Sequence, residues 1–473
     1  MKNKMQVMVK YSFLFVLVAL GGPSIAQNCD CADAFLFLKS QMENNYSGYK
    51  DKVPPAEKKA LDSFTGKLIR KAKKTTKLHY CLGIQKEWLS FFKDGHIQIN
   101  ENNVPAIKDS AALKKLAEET EVIKLDPEKI NRVYKPGGIE GIYYSVDSTY
   151  KILIVKNKSV YRDYAGIIMQ SKTPLWKPGQ VKLELKELSQ NKFIGYAYYK
   201  DHRGYAADYE FDGNTLNRGV WTKEGAPVAN NNGQNTLPIQ AKKINENTFY
   251  IQISSFDPWN AAAIDSVFKT HENILKSIPN LILDLRGNSG GADFAYAPIL
   301  PYLYTNPVHI TGVDVIASDD NIKAWRALLD EPDLPESTKN DIVEMTEKMK
   351  SNPGQLVNIY PDDTKILEKV EPFPKKVAVL TDGYCASSTE QFLLSARQSK
   401  KVTLMGQNSK GVLDYSNMRS VSFPDCPLIL AYATTRSRRI DLGQGIDNKG
   451  IKPDRYLPAD KDWITEAIKY LEE

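Results

Sequence analysis

The sequence predicts an α/β protein with a helical amino-terminal region, an antiparallel β module, and a carboxy-terminal domain of parallel strands joined by helical crossovers. Three observations predict it. From Thr248 onward, strand-length apolar runs such as Leu281-Ile282-Leu283-Asp284-Leu285 and Val377-Ala378-Val379-Leu380 alternate with helix-spaced segments, the order of a parallel crossover. Between 139 and 246, short aromatic-rich segments are separated by turn residues such as Asp212-Gly213-Asn214, the texture of an antiparallel module. Between 32 and 97, Phe35, Phe37, Leu38 and Met42 share a helical face, and Ala60, Phe64, Leu68 and Ile69 recur at helical spacing.

Residues 1–26 carry Lys2, Lys4 and Lys10, then an apolar run over 13–20, then small residues ending Ser24-Ile25-Ala26. This predicts a signal peptide cleaved after Ala26, because the apolar run falls far short of the ~20 residues that span a bilayer. Cys29 lacks the small apolar residues that precede a lipidated cysteine, so export without a lipid anchor is expected, to a periplasm or the medium. No stable membrane span is expected in the mature chain.

The helical region covers 27–125, with a second helical stretch at 111–121 and a linker near 126–138. The β module covers 139–246, including Gly141-Ile142-Tyr143-Tyr144 and Phe193-Ile194-Gly195-Tyr196 as strands. The α/β domain covers 247–473. In it, Phe249 to Ile253 reads as a strand, Ile264, Val267, Phe268, Leu275 and Ile278 as one helix face, and 402–405 as a further strand. A charged helical insertion occupies about 311–375, centred on 322–352.

A chain of 473 residues exceeds what a single core holds. The formal charge of +6 falls to +3 without the three leader lysines, and charges of both signs are interspersed, so a nucleic-acid partner is not expected. The five cysteines, Cys29, Cys31, Cys81, Cys385 and Cys426, lack the paired spacing of a zinc site, and neither a metal nor a cofactor is expected. Export makes disulfides the natural reading. Cys29 or Cys31 can bridge to Cys81; Cys385 with Cys426 is a second possibility.

Four runs could carry chemistry. Asp284-Leu285-Arg286-Gly287-Asn288-Ser289-Gly290-Gly291 follows a strand, and glycines there can expose backbone amides to an oxyanion; an ordinary turn with an Asp284–Arg286 pair is the plainer alternative. Tyr384-Cys385-Ala386-Ser387-Ser388-Thr389-Glu390 stands between a strand and a helix, where a serine hydroxyl meets free helix amides. The same run is an S-x-x-E capping box, in which Ser387 merely caps the helix. Cys385 is a rival nucleophile.

His96 lies in a turn after an apolar helix, whereas His79 and His202 stand in Lys-, Arg- and Tyr-rich surface-like sequence and His271 on an apolar helix face. It could be the base a serine needs or a structural histidine. The run Asp447-Asn448-Lys449-Gly450 is turn chemistry that could also supply an acid to orient the imidazole.

Taken together, 248–457 resembles the carboxyl-terminal processing (tail-specific) serine peptidases, the group that includes the tricorn core protease. The resemblance rests on the D-x-R-x-N-x-G-G run at Asp284 to Gly291, the serine run before Glu390, and the late motif from Asp447 to Asp454. It implies a crotonase/ClpP-like ββα core and Ser387 as nucleophile. The Ser-Lys branch keeps a lysine where this chain has Val412, and Lys410 comes two residues early. The tricorn-like branch, with a histidine base, is therefore implied: His96 as base, Asp447 orienting it in place of a glutamate, and the amides of Gly290 or Gly291 and of Ser388 as oxyanion hole. The family's PDZ module is not recognisable; the β module stands in its position. The expected function is an exported serine peptidase acting on proteins or peptides. A catalytically silent peptide-binding protein on the same fold is the alternative from another class, and an acyl-CoA enzyme of the crotonase type shares the core but conflicts with export.

Overall fold

The computed structural model describes residues 29–473 except 103, 105, 126–136, 227–238, 333 and 335. The expected signal peptide and most of the expected linker lie outside the described residues.

The carboxy-terminal domain is organised on a six-stranded sheet in the order Ile239–Lys243, Thr248–Ile253, Asn280–Asp284, Lys376–Thr381, Val402–Gly406, Arg455–Tyr456. The first pair is antiparallel and every other pair parallel. Its central strands are buried on both faces, which is why they read as unbroken apolar runs. Leu281 and Leu283 face the helices Ala261–Thr270 and Ser388–Ala396 through Ile264, Phe268, Phe392 and Leu393. Ile282 and Ala378 face the terminal helix Trp463–Glu472 through Trp463, Ala467 and Leu471. Ile239–Lys243, which the sequence assigned to the β module, is instead the edge of this sheet; as a partly exposed edge it carries no apolar run to announce itself.

A second, antiparallel sheet was not expected. The strand Leu428–Ser437 pairs with Tyr415–Ser422 on one side and with Gln98–Glu101 and Val313–Ile316 on the other, and Leu356–Tyr360 extends it. The insertion at 311–375 is therefore not simply helical: the helices Asp319–Ala327 and Glu336–Lys350 are flanked by strands that bind it to the catalytic half. Those strands are four and five residues long, too short for a period-two pattern to separate from noise.

The β module is an eight-stranded antiparallel sheet around Tyr143, Ile152, Trp176, Leu183 and Trp221, in which six strands from Gly141–Ser145 to Gly204–Glu210 run as a meander and Trp221–Lys223, followed by Thr215–Leu216 at the edge, returns to pair with Gly141–Ser145. It docks through Ile194, Tyr196 and Ala206 onto the core of the amino-terminal helices Cys31–Asn45, Pro55–Ala72 and Leu78–Leu89. Across that junction buried Glu184 accepts from Tyr80 (2.6 Å), Tyr198 (2.7 Å) and Arg162 (2.8 Å). His79 and His202, expected at the surface, are buried at 8% and 4% exposure. His79 packs on Tyr80, and His202 stacks on Trp176 at 3.9 Å. Aromatic faces, rather than an apolar pattern, bury them.

Cys31 is bonded to Cys81, and Cys29 to Cys426. Cys385 is a free, buried thiol, so the Cys385–Cys426 possibility is corrected.

Candidate active site

The strand Lys376–Thr381 ends in a turn that delivers Ser387 to the first position before the helix Ser388–Ala396. Ser387 has φ 56° and ψ −125°, a region that costs a non-glycine residue roughly 1–3 kcal/mol. The surroundings hold it there. Its amide donates to the Val412 carbonyl (3.0 Å) and to Glu390 (3.2 Å). The Glu390 half of the capping box read from the sequence is present, with the Ser387 amide donating to Glu390, while the half-buried Ser387 hydroxyl lies against His96.

Glu390 is fully buried. Besides the Ser387 amide, its carboxylate accepts from the Gly411 and Val412 amides, each at 2.7 Å, and from the Ser409 hydroxyl at 2.5 Å. A buried carboxylate is tolerable only when its oxygens are satisfied in this way. The consequence is that the segment 409–412 is locked alongside the nucleophile.

His96 arrives from the other end of the chain. The helix Leu78–Leu89 runs into a 3₁₀ turn, Lys93 reverses the backbone at φ 48°, and Asp94 accepts the His96 amide at 2.8 Å. The other oxygen of Asp94 accepts from the Tyr46 hydroxyl at 2.7 Å. The strand Gln98–Glu101 then pairs with Ala431 to Leu428, which fixes the turn against the catalytic half. Within that turn a Cβ on Gly95 would come 2.8 Å from a Val412 methyl, so the valine at the lysine position packs against the histidine-bearing turn.

The structure brings His96 and Ser387 together: Nε2 lies 3.0 Å from Oγ. Nδ1 is hydrogen-bonded to the Tyr415 carbonyl. A carbonyl only accepts, so Nδ1 carries the proton and Nε2 presents a lone pair to the serine hydroxyl. Asp447, expected to hold the imidazole, makes no hydrogen bond to it. Its Oδ1 accepts the Leu413 (3.2 Å) and Asp414 (3.0 Å) amides, and its Oδ2 lies 3.4 Å from Lys52. Burial, with Asp94 nearby, pushes its carboxyl up to about 6. Asp447 therefore braces the strand start that supplies the Tyr415 carbonyl.

The glycine run lies against the nucleophile turn. A Cβ on Gly290 would lie 2.7 Å from the Ala386 carbonyl oxygen, 2.8 Å from Ser387 Cβ and 3.0 Å from the Ser388 nitrogen. The Gly290 amide, however, donates to Asn288 Oδ1 at 3.0 Å, which takes it out of the candidate donors. The amides of Gly291 and Ser388 make no hydrogen bond among the described residues, and the Ser388 hydroxyl donates to the Gly291 carbonyl at 2.8 Å, tying the two together. Asn288 is a hub the sequence did not single out: fully buried, it also donates to the Ile253 carbonyl and accepts from Thr389. Asp284 and Arg286 do pair, at 2.6 and 2.9 Å.

Cys385 is excluded as the nucleophile. It is buried, donates to the Leu285 carbonyl at 3.0 Å, and burial pushes its thiol up to about 12. Lys410 is held through its amide to the Cys385 carbonyl at 2.8 Å, while its side chain is exposed and makes no hydrogen bond to Ser387. Of the groups given no further role in the sequence, Asp94 stands two residues before the histidine, and Glu390, already read as the capping-box glutamate, also locks the 409–412 segment. Tyr415 acts through its carbonyl and had none. Among the described residues no set of three His, Cys, Asp or Glu side chains is placed to hold a metal ion, and no helix is long and apolar enough to cross a membrane.

Comparison with known proteins places this geometry in context. Residues 247–457 match the model of peptidase family S41. No characterised protein sequence matches the chain. Among solved structures, mature CPAF in complex with lactacystin is similar at 12% identity and a TM-score of 0.49, over 94% of this chain and 97% of that one. The photosystem II D1 C-terminal processing protease is similar at 12% and 0.38, over 91% and 94%. The tricorn protease is similar at 12% and 0.41, over 94% of this chain and 36% of its own.

Proposed function

The chain belongs to peptidase family S41 through residues 247–457 and is a serine-type peptidase, a hydrolase; on that premise we propose that Ser387 is its nucleophile and His96 its general base. The observation that carries the assignment is the 3.0 Å contact from His96 Nε2 to Ser387 Oγ, with Nδ1 occupied by the Tyr415 carbonyl. Ser387 attacks the carbonyl carbon of a peptide bond of a protein or peptide substrate while Nε2 takes the hydroxyl proton. The tetrahedral oxyanion is held by the amides of Gly291 and Ser388, and the protonated imidazole then gives its proton to the leaving amine. Water repeats the sequence on the acyl-enzyme. A positioned base contributes ~10²–10⁴-fold and one oxyanion donor ~10²–10³-fold. Asp447 takes part as a positioning residue through the 413–415 segment.

The finer architecture belongs to the same reading. The domain 247–473 is a crotonase/ClpP-like core, the helical region 27–125 is the donor of His96, and the β module stands where the family carries a PDZ module. Removal of 1–26 during export, to a periplasm or the medium, is supported by the disulfides Cys29–Cys426 and Cys31–Cys81, which persist in oxidising compartments.

Hydrolysis of a denatured protein by the mature chain tests the assignment. Ser387→Ala should lose nearly all turnover; wild-type hydrolysis by that variant would sink it.

A further inference from the structure

The stretch from Tyr46 to Lys52 reaches both groups that hold the His96 turn and its imidazole. It leaves the helix Cys31–Asn45 and ends in the single turn Tyr49–Lys52. Buried Ser47 pins it to the hairpin: its amide donates to the Ala433 carbonyl (3.1 Å) and its hydroxyl to the Thr435 carbonyl (2.8 Å). On the side of the turn, Tyr46 donates to Asp94 at 2.7 Å, and Asp94 accepts the His96 amide. On the side of Nδ1, the Tyr415 hydroxyl donates to Asp51 at 2.9 Å. Asp51 also accepts two nitrogens of buried Arg436, at 2.6 and 3.3 Å. Arg436 is the cross-strand partner of Tyr415, so one carboxylate ties both members of that pair. Lys52 places its ammonium 4.8 Å from the centre of the Tyr415 ring and 3.4 Å from Asp447. Gly48 lets the two tyrosines close. Their rings lie 5.7 Å apart, and a Cβ on Gly48 would collide with the Tyr46 hydroxyl and come 2.8 Å from the Tyr415 ring.

These contacts matter because the acceptor on Nδ1 is a neutral carbonyl. A carboxylate in that place would attract the N–H with a full charge, and charge-assisted hydrogen bonds are roughly twice as strong. With a carbonyl, the tautomer depends on how firmly the acceptor is held in place. Tyr415 is the first residue of an edge strand, an end that frays unless something ties it down. Asp447 holds the amides of Leu413 and Asp414 just before it. Asp51 and Lys52 hold its side chain.

We propose that Tyr46, Asp51 and Lys52 are positioning residues for hydrolysis: the segment 46–52 clamps Asp94 and Tyr415 together around His96, so that Nδ1 keeps its proton and Nε2 faces Ser387. The amino-terminal region then supplies both the base and the clamp that sets its tautomer. None of the three touches the reacting atoms, so each acts through the imidazole and bears on turnover rather than on substrate binding. The proposal rests on the peptidase reading.

The test compares the full mature protein with its variants in three measurements. These are steady-state hydrolysis of fluorescein-labelled casein, the rate at which a fluorophosphonate attaches to Ser387, and long-range ¹H–¹⁵N spectra of the histidine rings in alkaline buffer. The His96 signals are those lost in His96→Ala, and in the wild type they should show the Nδ1-protonated ring. Tyr415→Phe and Asp51→Ala, in protein that remains folded by circular dichroism, should each lower kcat by ~10–10²-fold, the scale of a group misplaced by about an ångström. KM should stay within about twofold, as for an interaction that serves only the transition state. Labelling of Ser387 should slow to match, and the His96 ring should become a mixture of tautomers. Tyr46→Phe and Lys52→Met should lose less, because the Asp51 bond to Tyr415 remains. Asp51→Asn should regain most of the loss of Asp51→Ala, since an amide oxygen still accepts the Tyr415 hydroxyl. Wild-type kcat in Tyr415→Phe and Asp51→Ala, or a fall in kcat with an unchanged His96 ring pattern, overturns the clamp and leaves the peptidase reading standing. A wild type that neither hydrolyses casein nor takes the probe, while Tyr415→Phe still shifts the His96 tautomer, would instead overturn the peptidase reading and keep the clamp.

Discussion

Ser387 sits at φ 56° because three partners leave it no alternative: Val412 and Glu390 hold its amide, and Gly290 leaves room for its side chain. That room is testable. Gly290 has φ 102°, and a methyl group there would meet Ser387 Cβ and the Ser388 nitrogen at 3.0 Å or less. Gly290→Ala should therefore lower kcat by ~10²-fold or more, the scale of a displaced oxyanion donor, in steady-state assays of protein that remains folded by circular dichroism. Retained kcat would show that the glycine run does not form the hole. The imidazole gives a second residue-scale outcome. In a triad where an acid holds Nδ1, the Asp-to-Asn change costs ~10⁴-fold by stabilising the wrong tautomer. Here a carbonyl holds Nδ1, and an asparagine oxygen can still accept the Leu413 and Asp414 amides. Asp447→Asn should thus lose less than about tenfold in kcat and Asp447→Ala more; a loss near ~10⁴-fold for Asp447→Asn would place the acid on the histidine after all.

Among the elements, the strand Gln98–Glu101 matters most to the site, because it carries the histidine turn onto the hairpin of Tyr415–Ser422 and Leu428–Ser437. The Cys29–Cys426 bond fastens the same junction, closing a separation of 397 residues. Cys426→Ser should cost about 2–5 kcal/mol in urea unfolding and reduce activity with it, since His96 and Ser387 come from the two sides of that seam. Unchanged stability would contradict the role given to the bond. The parallel strands were legible in the sequence because two-sided burial leaves no polar interruption. The edge strand Ile239–Lys243 and the strands beside the insertion were not, because short or half-exposed strands carry too few apolar residues to show a period. His79 and His202 misled for a related reason: aromatic faces and the Glu184 network bury them among residues that read as surface.

At the scale of the whole molecule, the site is an assembly of distant segments. In the proposed site the helical region supplies His96, the turn after the sheet strand Ser387, the glycine run one candidate oxyanion donor, and the hairpin the Tyr415 carbonyl that bonds Nδ1. Motif order could find the side chains, since Ser387, His96 and the glycine run each stand at a strand or helix end with turn chemistry around them. It could not find Tyr415, whose contribution is a backbone carbonyl, nor the diversion of Asp447 to the Leu413 and Asp414 amides, because both depend on how the hairpin folds back. The pairing of His96 with Ser387 is the claim on which the rest depends. A fluorophosphonate reports it directly when the labelled residue is mapped by mass spectrometry in the mature protein and its variants. The probe should attach to Ser387 in the wild type and be lost in Ser387→Ala and in His96→Ala. Labelling that survives His96→Ala but disappears in Lys410→Ala would contradict the account and make a lysine the base.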